Sequence, residues 1–342
     1  MSLTVVEAVR RQWPDVRLGF LVESPHEQLL EADARIDRIH VFDKQRWMAA
    51  GIGTALGEFW RLVRQLRSEK YEVIADLHGV PRSQWLARLA GGRRRVGRAS
   101  GYWHDVLIHE RTKVEWSGKH NKHNLEWLLE IVAPLGVRRE ITPPKLSVSK
   151  QARLKARQWL QDRGLAGQPL IGLHPGSISQ KKWPTEQYIE LGRLIKGQLG
   201  AKVVITAGPG EEALAEAIAE AIGREDAQVA ALSHLLEVAA LLETCSVFVG
   251  GDTGPMHMAA AVGTPVVAVF MDPSNPYRSG PVGPNHFVLF KGFDYSLRRP
   301  FEADRSFASF FDTATPADVC QQLQQVCAKA KRAPGSSREE VA

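Results

Sequence analysis

Residues 250–270 read Gly-Gly-Asp-Thr-Gly-Pro-Met-His-Met-Ala-Ala-Ala-Val-Gly-Thr-Pro-Val-Val-Ala-Val-Phe, an order of residue types that can hold an anion. An apolar strand, Ser246 to Val249, runs into a Gly-Gly-Asp-Thr-Gly turn. A helix of small residues follows, and a second apolar strand closes the unit. The glycine turn and helix N-terminus present backbone N–H groups and the positive end of the helix dipole, which suits phosphate above all. Asp252 or Thr253 can cap that helix. His257, one turn further on, can reach a ligand held there. The same letters fit a tight helix cap with a buried histidine in an ordinary crossover, so the reading turns on what else the sheet edge carries.

Two more loops follow apolar strands in the second half. One is His174-Pro175-Gly176-Ser177, with Lys181-Lys182-Trp183-Pro184 just beyond; the other is Ala207-Gly208-Pro209-Gly210-Glu211-Glu212. Open parallel sheets bind ligands at the carboxyl ends of their strands. Together the three loops offer hydroxyls, amides, lysines and a carboxylate, the inventory a sugar nucleotide needs. Each has a plainer reading on its own. Pro-Gly-Ser is a common turn, the lysines suit solvent, Glu211 and Glu212 suit the first turn of any helix, and Trp183 packs its loop onto the domain. Their order in one chain favours the ligand.

The elements that must position these loops alternate, helix against short strand, which argues for parallel α/β layers. In the first half the pattern predicts helices over Thr4–Arg11, Leu56–Lys70, Arg82–Leu89 and Asn124–Leu135, with strands over Arg17–Val22, Ile39–Phe42 and Glu72–Leu77. In the second half it predicts helices over Lys150–Arg163, Thr185–Gln198, Glu211–Ile222, Leu235–Thr244 and Pro316–Lys331, with strands over Leu170–His174 and Val203–Thr206. Residues 137–149 carry a proline pair and no helical period. The division expected is a domain over 1–140, a linker over 141–149, a second domain over 150–331 and a disordered tail over 332–342.

The chain has 342 residues, 44% of them hydrophobic and 24% charged, as in ordinary globular protein. It contains no run long enough to span a membrane and no signal-peptide pattern at its start. Cys245, Cys320 and Cys327 have no metal-ligand spacing and fit a reducing cytoplasm. Residues 1–148 hold 24 Lys and Arg against 18 Asp and Glu, and the remainder is balanced. All the excess positive charge therefore lies in the first half, densest at Arg93, Arg94, Arg95 and Arg98. Such a field favours an acidic partner, a phosphorylated glycolipid or an anionic membrane surface, or else is a solvated basic face. Nothing resembles a nucleic-acid module.

Taken whole, these motifs resemble the glycosyltransferase family that contains the ADP-heptose:lipopolysaccharide heptosyltransferases. Asp252, Thr253, Gly254 and His257 match that family's donor-site string. "HPGSISQKKWPTEQYIELGRLI" is similar to its second-domain entry motif, which gives Ser177 and Lys181 the donor diphosphate. "TAGPGEEALAEAI" resembles the next loop, whose Glu faces the adenosine part of the donor: Glu211, with Glu212 the alternative. "VIADLHGVPRSQWLARLAG" resembles an acceptor-side segment in which His78 replaces the commoner Gln, while Arg82 and Ser83 fit. "HNKHNLEWLLEIVAPLG" resembles a His-containing helix, with His120 or His123 in the His position.

The resemblance implies a GT-B fold, two Rossmann-like domains facing across a cleft, with donor bound by the second and acceptor mainly by the first. It implies an inverting transfer of heptose from ADP-heptose, needing no metal and no cofactor. The acceptor is the phosphorylated inner core of lipopolysaccharide in the Kdo–lipid A region. The implied place is the cytoplasm, peripheral on the inner face of the inner membrane. The family opens with an apolar strand and a loop carrying the proposed catalytic Asp. This chain starts in the helix that follows, so the first strand of the first domain is expected to be missing, Met1 to be internal to the natural protein, and no residue is assigned as base. Losing a base costs about 10²–10⁴-fold. Two other readings stay open: a GT-B transferase with another nucleotide-sugar donor, and an inactive binder of sugar nucleotide or glycolipid.

Overall fold

The computed structural model describes residues 1–99, 101–113, 122–177, 182–271, 274–283, 285–290 and 314–332. The chain divides into two compact units, Met1–Ser147 and Val148–Ala342, parted inside the stretch 141–149 expected as linker.

Unit 1 runs α1 (Leu3–Gln12), β1 (Gly19–Glu23), β2 (Arg38–Phe42), α2 (Lys44–Ala49), α3 (Ile52–Ser68), β3 (Val73–Asp76), α4 (Pro81–Ala90), β4 (Arg94–Ala99), β5 (Glu110–Lys113) and α5 (Asn124–Val132). Its strands form two parallel sheets, β1-β2 and β3-β4-β5. Side chains tie the two together. At the amino ends Glu69 pairs with Arg17 at 2.5 Å and with Arg38 at 3.4 Å, and His40 Nε2 lies 2.8 Å from the Tyr71 hydroxyl. At the carboxyl ends Arg82 reaches Glu23 at 3.0 Å and lies over the Phe42 ring. One helical layer joins Leu62, Val63 and Leu66 of α3 to Leu86 and Ala90 of α4, against Phe42 and Ile74. A second cluster joins Val5 of α1 to Trp127, Ile131 and Val132 of α5.

The densest basic run is a strand. Arg94 forks onto Glu110 and the Pro134 carbonyl. Arg95 is buried and donates to the carbonyls of Leu107 and Gly92. Two of the four arginines expected to present a field to a partner are thus spent inside unit 1, because strand pairing places them where a guanidinium must find acceptors.

Unit 2 runs α6 (Lys150–Gln161), β6 (Leu170–His174), α7 (Thr185–Leu194), β7 (Lys202–Thr206), α8 (Glu212–Ile222), β8 (Ala227–Ala230), α9 (Leu235–Thr244), β9 (Val247–Gly250), α10 (Gly254–Ala261), β10 (Val266–Phe270), α11 (Pro276–Ser279), β11 (His286–Phe290) and α12 (Pro316–Arg332). Arg332, expected in the tail, is the last residue of α12; the rest of the expected tail lies outside the described residues. One parallel sheet has the order β11-β10-β9-β6-β7-β8. Every residue of β6, β9, β10 and β11 is buried, as continuous apolar strands must be when helices cover both faces.

Numbered within the unit, that order is 6-5-4-1-2-3, the doubly wound arrangement. Unit 1 has the same order with its first member left out: 3-2 on one side, 4-5-6 on the other. Among the described residues no strand occupies the place that β6 holds in unit 2.

Candidate active site

In unit 2 the chain leaves β6 toward β7 and β8, then returns on the other side of β6 to β9, β10 and β11. The loops after β6 and β9 therefore diverge, opening a crevice at the carboxyl edge. Ser177 lies three residues past β6, and Asp252 and Thr253 follow β9 directly. The Ser177 hydroxyl oxygen is buried and has no hydrogen-bond partner among the described residues. Leaving such a group unpaired costs about 1–3 kcal/mol, so native proteins rarely do it without another partner in view.

Across the switch point, α10 begins with Thr253 at its N-cap in extended conformation, and no side chain caps it. Neither residue proposed as cap serves as one. The Thr253 hydroxyl turns to the Gly251 carbonyl at 3.5 Å. One Asp252 oxygen accepts from the Ser274 hydroxyl at 3.1 Å, and the other lies 3.9 Å from His257 Nε2. Burial lowers the His257 pKa to about 4 against the pull of Asp252. At neutral pH the ring is uncharged, with one nitrogen to donate and one to accept.

The loop after β7 closes onto the loop after β6. Glu211 accepts the Gly208 N–H at 2.9 Å and lies 3.7 Å from His174 Nε2. His174 Nδ1 sits 3.0 Å from the Thr206 carbonyl, and burial lowers the pKa of the ring. A Cβ on Gly176 would run into the Glu211 carboxylate, so glycine is what lets that carboxylate lie against the loop. Of the two candidate carboxylates it is Glu211 that turns into this cluster; Glu212 is exposed in the first turn of α8. Trp183 is buried, donates to the Ala314 carbonyl at 3.0 Å and packs edge-on against Tyr188, as its expected packing role requires. Lys181 lies outside the described residues.

In unit 1 the turn after β3 is built around Asp76. One of its oxygens accepts the N–H groups of His78 and Gly79, and the other accepts from the Ser83 hydroxyl at 2.9 Å. Gly79 takes φ +71°, and a Cβ there would press on Arg98. This leaves Ser83 committed to the turn and Arg82 half-exposed at the carboxyl edge. His123 is buried and caps α5, accepting the Leu125 N–H at 3.2 Å; His120 lies outside the described residues. Sequence reasoning passed over Asp76, which stands at the head of the acceptor-side segment, and His174 and Ser274, whose roles depend on contacts distant in sequence.

The sequence profile of glycosyltransferase family 9 (heptosyltransferase) matches residues 59–299. The chain belongs to that family. This glycosyltransferase is 25% identical over 283 residues to lipopolysaccharide heptosyltransferase 3 of Escherichia coli, covering 79% of each chain. Its structure superposes on a family 9 glycosyl transferase from Veillonella parvula with TM-score 0.80 and 21% identity, covering 96% of this chain and 93% of that one. It is also similar to the E. coli ADP-heptose lps heptosyltransferase II, with TM-score 0.74, 18% identity, and 96% and 95% coverage. These two likenesses are of fold: each unit is Rossmann-like, and the glycosyltransferase has the GT-B plan. None of its described helices is long and apolar enough to cross a membrane.

Proposed function

We propose that this glycosyltransferase moves heptose from ADP-heptose to the inner core of lipopolysaccharide, in the Kdo–lipid A region, with inversion at the anomeric carbon. The observation that carries the donor half is the buried Ser177 hydroxyl, without a partner among the described residues, at a sheet switch point whose other loop leads into a helix whose N-cap residue makes no side-chain cap bond. A diphosphate supplies the acceptors that both lack. The named relatives support heptose and lipopolysaccharide as the substrates, and a glycolipid phosphate suits the half-exposed Arg82 guanidinium.

In this reading the acceptor hydroxyl oxygen attacks the anomeric carbon as the bond from that carbon to the diphosphate breaks. The hydroxyl proton passes to solvent water, no residue being assigned as base, the glycosidic bond forms on the opposite face, and ADP leaves with the bonding pair. The amides at Thr253 and Gly254, the Ser177 hydroxyl and Lys181 hold the charge that develops on ADP. Glu211 faces the adenosine part, Asp252 accepts from ribose or sugar hydroxyls, and His257 hydrogen-bonds a phosphate or a sugar hydroxyl. Neither metal nor cofactor is required. The enzyme works in the cytoplasm, peripheral to the inner face of the inner membrane.

Protection against heat by nucleotides tests the donor. ADP should raise the melting temperature and UDP should not; the reverse result replaces ADP-heptose by another donor. Asp252→Ala and Lys181→Ala should each weaken binding of the nucleotide-sugar donor by roughly tenfold, the scale of one charge-assisted hydrogen bond. Unchanged affinity in both removes the site. Incubation with ADP-heptose and a Kdo–lipid A analogue tests transfer, on this chain and on one extended ahead of Met1 by an apolar strand and a Gly-Asp loop. Donor binding without turnover by either chain would make the protein a binder.

A further inference from the structure

Helix α3 is held by its second half. Leu62, Val63 and Leu66 are buried against α4, whereas Ile52, Leu56 and Trp60, spaced four apart along one side of its first half, are 82%, 54% and 50% exposed. Met48 of α2, just before it, is 77% exposed. Glycines 51, 53 and 57 leave open space where a Cβ would stand, so the backbone itself is approachable there. Large apolar side chains on a helix normally mark its buried face; here a stripe of them is left in water.

Charge selects what covers this stripe. Lys44, Arg46, Arg61, Arg64 and Arg67 are all exposed on the same two helices. The one carboxylate among residues 44–67, Glu58, is mostly covered and already bridges Arg46 at 3.2 Å and Arg61 at 3.1 Å. A second group of exposed apolar residues, Tyr102, Trp103 and Val106, lies just past the carboxyl end of β4. It shares the carboxyl edge of unit 1, where β2 delivers the chain into α2 and Arg82 meets Glu23. Apolar residues with tryptophan on one side of a helix and arginines on its flanks are the composition of helices that lie in a membrane interface.

We propose that α2 and the first half of α3 seat unit 1 on an anionic lipid surface, with Met48, Ile52, Leu56 and Trp60 entering the acyl boundary and the flanking arginines on the headgroups. This deepens the reading of the acceptor as a membrane glycolipid and rests on it for the purpose of the contact, although the contact itself needs neither donor nor acceptor.

Cosedimentation of the full chain with vesicles tests it. Vesicles of phosphatidylcholine with phosphatidylglycerol should bind the protein, vesicles of phosphatidylcholine alone far less, and added salt should release it. The double variant Ile52→Asp, Leu56→Asp should bind the anionic vesicles at least about tenfold more weakly, with an unchanged melting temperature because both side chains are exposed. Leu154→Asp, at a 63% exposed leucine of α6 in unit 2, should bind as the parent does. Transfer to a water-soluble, deacylated acceptor should be untouched in the double variant. Wild-type binding by the double variant, or no vesicle binding by the parent, overturns the proposal while leaving the transferase reading standing. Self-association through this face, seen by sedimentation velocity and lost in the double variant without vesicle binding, would replace the lipid by a second copy.

Discussion

Among the described residues, unit 2 shows six strands of the wound order and unit 1 shows five. In unit 2, β6 pairs with β7 on one side and β9 on the other, and all five of its residues are buried. In unit 1 the strands that flank the corresponding place, β1 and β3, each have a single partner among the described residues. Their apolar side chains are left part-exposed: Leu21 is 38% and Val73 42% exposed. A central parallel strand supplies two rows of backbone hydrogen bonds and an apolar row on both faces. Among the described residues of unit 1, side chains at the two ends of the strands and two helical layers join β1-β2 to β3-β4-β5, through Glu69, Tyr71 and Arg82. The switch point of unit 2 is defined by the central strand, and Ser177 and Asp252 are placed by the strands that meet there.

The sharpest way to break this comparison is to damage the same kind of residue in both units. Leu173 of β6 is fully buried, and Leu173→Ala should cost about 2–5 kcal/mol through lost transfer energy and the cavity left behind. Leu21→Ala in β1 should cost about 1 kcal/mol or less, since much of that side chain is already in water. Urea denaturation of the two variants measures both. Equal costs would mean that β1 is as well packed as β6.

A second test uses pH and acts on unit 2. His286 of β11 is buried; its Nδ1 accepts the Val266 N–H at 3.2 Å, and burial lowers its pKa to about 4. A lone pair on Nδ1 requires the neutral ring. The unfolded chain takes up a proton near the ordinary histidine pKa of about 6.5, and the folded one does so only near 4. Between these values the unfolded state binds more protons, so stability rises with pH through the window and is lost as pH falls through it. The size is about 3 kcal/mol for this ring at the lower end. Urea midpoints from pH 7 down to 4 should show the loss, and His286→Asn should flatten that part of the slope. An unchanged slope in the variant would mean that the ring is already charged in the fold.

How much of this could be read from the letters follows the same division. In unit 2 the strand over Leu170–His174 and the helix over Leu235–Thr244 are legible to the residue, because buried parallel strands are unbroken apolar runs and the helix is bounded by His234 and Cys245. The loops proposed to hold the donor are legible for the same reason, since each follows such a strand. In unit 1 the strand β4, Arg-Arg-Val-Gly-Arg-Ala, reads as a charge cluster, and β5, Glu-Arg-Thr-Lys, is left unassigned. Strands with part-exposed residues need not be apolar, and only pairing reveals them. The short strand β8 and the apolar β11 escape as well, since runs of four or five residues carry too little period to assign. Helix α2 and the first turn of α3 are invisible because glycines 51, 53 and 57 argue against a helix. At the site, Ser177, Glu211 and Asp252 are named by their loops, but the Asp252–Ser274 bond and the His174–Glu211 approach join residues too far apart in sequence to be foreseen.

The smallest expected effect separates joining from binding at the carboxyl edge of unit 1. Arg82 is 42% and Glu23 37% exposed in their side chains, and pairs of this kind contribute about 0–1 kcal/mol. The guanidinium also lies 5.3 Å from the Phe42 ring centroid, worth roughly 0.5–1 kcal/mol at an exposed site. Arg82→Ala should therefore lower stability by no more than about 1–2 kcal/mol. If Arg82 instead meets an acceptor phosphate, the same variant should raise the KM for the glycolipid while leaving ADP affinity unchanged, because the loops proposed to hold the donor belong to the other unit. Arg82→Lys should restore charge but not the forked geometry, giving partial recovery of KM. A collapse of stability with unaltered KM would make the residue a brace between two half-sheets and nothing more. Unit 1 would then depend on single side chains for what a strand supplies in unit 2.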